Sequence, residues 1–66
     1  MQGTVRWWDP TRGYGYIKPD SGGHEVFVHV AAVQRSGLRG LIDGQRVIFD
    51  LVTDGNRKSA ANLRIE

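Results

Sequence analysis

Cysteine is absent from this 66-residue chain. That excludes disulfide staples, thiolate metal sites and thiol nucleophiles together. No apolar run approaches the roughly 20 residues of a membrane-spanning helix, and Met1-Gln2-Gly3-Thr4 carries no signal-peptide pattern. A cytoplasmic protein without a membrane anchor is expected. Charge of one sign is scarce too: nine Lys and Arg stand against seven Asp and Glu, a formal net charge of +2. There is no basic tail or block of the kind that grips duplex phosphates. Catalytic groups are missing in the same way. With only His24 and His29 present, no metal site is expected. Nor is there a Gly-rich loop ending in Gly-Lys-Ser/Thr. Asp20, Glu25, Asp43, Asp50 and Asp54 fall mainly at turns or strand edges, and Ser21 and Ser36 lie in glycine-containing loops with no evident base. The chain is expected not to be an enzyme and to need no cofactor or small-molecule substrate.

What the chain does contain is short strand-like stretches separated by turn residues. A chain of this length makes one small domain, residues 1–66, that buries only roughly 60% of its unfolded surface. Thr4–Trp8 reads as a first strand and Tyr14–Lys18 as a second, with Asp9-Pro10-Thr11-Arg12-Gly13 as the turn between them. Glu25–Val30 is the third. Gln45–Val52 and Ser59–Ile65 are the fourth and fifth, joined by a hairpin turn at Asp54-Gly55-Asn56. Between the third and fourth, Ala31–Gln34 suits one helical turn, and Gly37, Gly40 and Gly44 prevent a longer one. Five strands with a long connection after the third predict an all-β, five-stranded antiparallel Greek-key barrel of the OB type, which binds oligonucleotides across its second and third strands.

The two most informative segments are Arg12-Gly13-Tyr14-Gly15-Tyr16-Ile17 and Val26-Phe27-Val28-His29-Val30. Successive side chains of a strand point to opposite faces. Tyr14 and Tyr16 therefore share one face, and Phe27 and His29 share another. Ile17, Val26 and Val28 point the other way. Antiparallel pairing joins the ring-bearing faces into a single platform. The aliphatic residues Val5, Ile17, Val26, Val28, Val47, Leu51, Leu63 and Ile65, with Phe49, already account for a core of this size. Trp7, Trp8, Tyr14, Tyr16 and Phe27 are then surplus to folding. Rings displayed beside arginine suit unpaired bases on a phosphate backbone, at roughly 1–3 kcal/mol per stacked base.

At these residues the chain resembles the cold-shock domain family, over essentially all its length from Gly3 onward. The two segments are similar to the family's paired ribonucleoprotein motifs, Lys-Gly-Phe-Gly-Phe-Ile and Val-Phe-Val-His-Phe. Gly3-Thr4-Val5-Arg6-Trp7-Trp8-Asp9, Asp43-Gly44-Gln45-Arg46-Val47 and Ala60-Ala61-Asn62-Leu63 also fit. The resemblance implies binding of single-stranded RNA and DNA with little sequence demand. By position it implies a stacking set of Trp7, Tyr14, Tyr16, Phe27 and His29, with Trp8 at the edge. Arg6 and Arg12 stand in place of lysines, and Asp9 in place of asparagine. Val30 and Leu38 occupy positions where the family commonly carries phenylalanine, so binding weaker than that of a fully ring-bearing member is expected. Strict alternation from Val5 would turn Trp7 inward, whereas the resemblance places it on the binding face. That placement needs a bulge in the first strand.

The expected function is that of an RNA chaperone that favours unpaired RNA and influences transcription or translation. A monomer is expected, with a strand-exchanged dimer as the alternative. The competing functional reading is a protein-interaction or self-association module using the same ring patch. Recognition of double-stranded promoter DNA is disfavoured by the sparse positive charge and the lack of a groove-reading helix.

Overall fold

The computed structural model describes all residues, 1–66. Five strands and one short helix follow in the order β1 (Gln2–Asp9), β2 (Tyr14–Pro19), β3 (Val26–His29), α1 (Val30–Arg35), β4 (Arg46–Asp54) and β5 (Arg57–Ile65). The strands close into a barrel in the order β1-β2-β3-β5-β4, and β4 returns to β1 through Gln2↔Ile48, Gly3↔Val47 and Thr4↔Arg46. Every pairing is antiparallel except β3 with β5, which run parallel and meet at Phe27↔Ser59. The expected barrel is present, with that one parallel seam.

Two irregularities decide which side chains face inward. In β1 the register jumps from Val5↔Ile17 to Trp7↔Tyr16. Arg6 is the extra residue of a bulge, so Val5 and Trp8 are both buried while Arg6 and Trp7 are both exposed. In the β4–β5 pair the register shifts between Ile48↔Arg64 and Asp50↔Ala61. Here the extra residue lies in β5, where Asn62 has φ +51°, and Ala60 and Leu63 both turn inward. A bulge changes strand parity once, and each of these strands uses that change to bury residues three apart.

The core comprises Val5, Trp8, Ile17, Val26, Val28, Val33, Leu41, Val47, Phe49, Ala60 and Leu63. Leu51 and Ile65, expected inside, are 38% and 45% exposed. Beyond Phe49, β4 has no second strand beside it, because β1 pairs only as far as Ile48. Leu51 is therefore covered on one side only, and Ile65 lies at the barrel rim beside the last residue. Val33, at 0% exposure, instead closes the barrel from α1, which packs against β3 and β5. The β4–β5 hairpin turns at Gly55-Asn56 between paired Asp54 and Arg57. Gly55 alone of the two has a positive φ, +63°, as a type II′ turn requires.

Val30 opens α1 instead of ending β3. His29 is the N-cap of this helix, its Nδ1 accepting the Ala31 N–H at 3.0 Å. Ser36 ends the helix: its hydroxyl donates to the Ala32 carbonyl at 2.8 Å and accepts the Leu63 N–H at 2.9 Å, which ties α1 to β5. Away from the rings, Arg46 of β4 donates to both oxygens of Asp20 at 2.6 Å and to the Thr4 hydroxyl at 3.0 Å, and pairs with Glu66 at 3.1 Å. This cluster joins the end of β2 to β1, β4 and the end of the chain.

Candidate nucleic-acid interface

The strand registers build the candidate surface in two rows. Trp7 of β1, Tyr16 of β2 and Phe27 of β3 lie side by side, and Asp9, Tyr14 and His29 form the next row. Ring centroids within the patch are 5.3 Å apart for Trp7–Tyr14, 6.2 Å for Trp7–Tyr16 and 5.7 Å for Tyr14–Phe27. The series continues at 5.9 Å for Tyr16–Phe27 and 6.3 Å for Phe27–His29. Trp7 and Tyr16 are nearly parallel at 25°, whereas Tyr14 stands edge-on to Tyr16 at 86°. None of these rings belongs to the core. Trp7 and His29 are exposed, and Tyr14, Tyr16 and Phe27 are half-buried against one another.

Two glycines make this arrangement possible. A Cβ on Gly15 would collide with the Trp7 carbonyl oxygen and come within 3.0 Å of Trp8 Cα, so only glycine lets the bulged β1 lie this close to β2. Gly13 has φ +78° in the preceding turn, and a Cβ there would meet Val30 Cγ1 at 3.1 Å. Its carbonyl accepts the Val30 N–H at 2.9 Å, which holds the turn against the start of α1. On the same side, His29 accepts a hydrogen bond at Nδ1. The neutral ring then carries its proton on Nε2, away from the helix.

Charge surrounds the rings in pairs. Arg6 Nε lies 3.1 Å from Glu25 Oε2, and Arg12 Nε lies 3.6 Å from Asp9 Oδ2. The other oxygen of Asp9 accepts the Thr11 N–H at 2.9 Å and the Arg12 N–H at 3.1 Å. Asp9 therefore braces the β1–β2 turn. Hydrogen bonding to the Tyr14 hydroxyl, its charge and then that of Asp9 raise the Arg12 pKa above its ordinary value. The Arg57 guanidinium sits over the Phe27 ring, 5.8 Å from its centroid. Sequence reasoning missed Arg57, because its place depends on the parallel β3–β5 seam, a pairing between strands far apart in the chain.

Trp8, Val30 and Leu38 lie apart from the ring platform. Trp8 is 8% exposed and belongs to the core. The same bulge that turns Trp7 outward turns Trp8 inward, so Trp8 is not at the edge of the platform. Its backbone N–H donates to Asp43 Oδ1 at 2.9 Å, which fastens the loop before β4 over this end of the barrel. Val30 and Leu38 are half-buried and pack against the core, so neither extends the ring surface. Neither of the two shallow surface hollows is lined by a platform ring: one is bounded by Asp54, Asn56 and Arg57 and the other by Ser36, Ile48, Asp50, Asn62, Leu63 and Arg64. The ring patch is a face, open to flat groups laid on it.

A closed five-stranded barrel with a ring-bearing face on β1, β2 and β3 defines the OB-type class of small all-β domains. Residues 1–65 match the family described as the 'Cold-shock' DNA-binding domain. The cold shock protein CspA of Rhizobium meliloti is 50% identical over 64 residues, covering 94% of this chain and 93% of that protein. The cold shock-like protein CspA of Rickettsia bellii is 50% identical over 64 residues, with 97% and 91% covered. The cold shock-like protein CspE of Escherichia coli is 40% identical over 63 residues, with 96% and 91% covered. The chain belongs to the cold-shock domain family. Members of this family generally bind nucleic acids.

Proposed function

We propose that this chain binds single-stranded RNA and DNA by stacking unpaired bases on Trp7, Tyr14, Tyr16, Phe27 and His29, and that it acts as an RNA chaperone. The observation that carries the reading is the placement of Trp7, Tyr16 and Phe27 in one row outside the core. Burying a large side chain contributes about 1.5–3 kcal/mol to folding, so rings left out of a thin core forgo stability that a purely structural sheet would take. Each stacked base would contribute about 1–3 kcal/mol. Arg57 over Phe27 and Arg12 beside Tyr14 would align the backbone and add cation–π attraction to the stacks. Val30 and Leu38 offer no ring, so the two corresponding subsites contribute less.

Chaperone action needs no hydrolysis. A protein that binds only the unpaired state shifts structured RNA toward it by mass action. The test is equilibrium binding of a short pyrimidine-rich oligonucleotide, single-stranded and as the matched duplex, at two salt concentrations. The single strand should bind more tightly than the duplex. Its affinity should fall with log salt at about −0.7 per neutralised phosphate. Equal affinity for duplex, or no binding at micromolar protein in low salt, would overturn the reading.

A further inference from the structure

Two of the four ion-pair contacts in this chain lie at the ring platform, and the other two belong to Arg46. Arg6 is the bulge residue of β1, and Glu25 directly precedes Val26, the partner of Ile17 on β2. Their contact at 3.1 Å therefore spans β2 at the Ile17 end of the platform. Arg12 and Asp9 occupy the opposite end, ahead of Tyr14. Arg6 and Arg12 flank the rings of β1 and β2, and each holds a carboxylate, a group that uses the same guanidinium donors as a phosphate. Arg57, by contrast, faces Phe27 without an ion pair.

Resting on the single-strand reading above, we infer that Glu25 is an internal competitor for the phosphates of a bound strand. In the free chain it occupies the Arg6 guanidinium, and a strand uses Arg6 only by displacing it. Asp9 acts on Arg12 in the same sense but more weakly, because its contact is longer at 3.6 Å and its other oxygen is committed to the turn. The Arg6–Glu25 pair is open to water, with side-chain exposures of 60% and 42%. An exposed pair is held loosely, so the competition tunes affinity without abolishing binding. It makes the chain depend more on stacking and less on salt than its count of arginines suggests.

The experiment is a double-mutant cycle in the full chain, with wild type, Glu25→Gln, Arg6→Gln and the double variant titrated with one short single-stranded pyrimidine oligonucleotide at several salt concentrations. Glu25→Gln should tighten binding about 1.5- to 5-fold at low salt and steepen the log–log salt slope by about 0.7, one further phosphate. In the Arg6→Gln background the same change should lose that gain. Asp9→Asn, which keeps the oxygen that braces the turn, should give a smaller gain in the same direction. Unchanged or weaker binding by Glu25→Gln while the wild type binds overturns the inference and leaves the functional reading standing. A gain that survives in Arg6→Gln also overturns it, because the carboxylate then acts only by general repulsion. Absence of binding by both wild type and Glu25→Gln removes the functional reading and the inference with it.

Discussion

Adjacent tryptophans do opposite things in this chain. Trp7 is 39% exposed and touches other rings, while Trp8 is 8% exposed and belongs to the core. Trp8→Ala should destabilise the fold by about 3–5 kcal/mol, as large-to-small changes of buried rings do. In a domain whose whole stability is about 5–15 kcal/mol, that removes a large share of the folding free energy, measurable by urea titration followed by circular dichroism. Trp7→Ala should leave the urea midpoint much closer to wild type and weaken single-strand binding by about 1–3 kcal/mol, or roughly 5- to 150-fold. At this scale the sequence carried the platform well. The parity of Tyr14, Tyr16, Phe27 and His29 can be read from two short segments, and their rings do share a face. The inside-or-outside choice between Trp7 and Trp8 cannot be read from alternation, because one extra residue in a strand reverses it. Only the family resemblance pointed to a bulge, and it did not reveal that Trp8 would then be buried.

At the scale of elements, the barrel depends on close backbone approach and on one polar cluster. Gly15→Ala would drive a methyl into the Trp7 carbonyl. The strain should cost about 1–3 kcal/mol and should disturb the rings on β1 and β2 together, which a thermal melt combined with oligonucleotide binding would detect. The Asp20–Arg46–Glu66 cluster makes stability depend on acid. Arg46 holds the Asp20 carboxyl below its ordinary pKa of 3.8. The folded state therefore keeps this charge to lower pH than the unfolded chain does. The contribution is full above the ordinary value and vanishes as pH falls through the lower folded one. Asp20→Asn should melt below wild type near neutral pH, and the two melting temperatures should converge in strong acid. A constant gap across that range would show that Asp20 acts through something other than its charge. A close backbone approach at Gly15 can be read from the sequence, whereas the Arg46 cluster cannot, because its partners lie far apart in the chain. Five strands, the short helix and the hairpin followed from turn residues and alternation. The exposure of Leu51 and Ile65 followed instead from where neighbouring strands stop, which is a property of barrel closure.

At the scale of the whole molecule, the proposed function rests on stacking more than on charge. Its net charge is only +2, and Arg6, Arg12 and Arg46 are already in ion pairs. Long-range attraction to a polyanion is correspondingly small, so under the proposed function the rings would carry most of the affinity. This balance separates the proposed activity from a basic duplex binder, which loses affinity steeply with salt. It also separates it from a protein-docking patch, which would show little dependence on a strand's phosphates. The most direct test uses Trp8→Phe, which keeps an apolar ring in the core and leaves Trp7 as the sole tryptophan. Titration of this variant with a short single-stranded pyrimidine oligonucleotide should quench its fluorescence to saturation, and the matched duplex should quench it far less. A folded variant whose Trp7 emission does not change at micromolar protein in low salt would contradict the claim that the exposed rings receive bases.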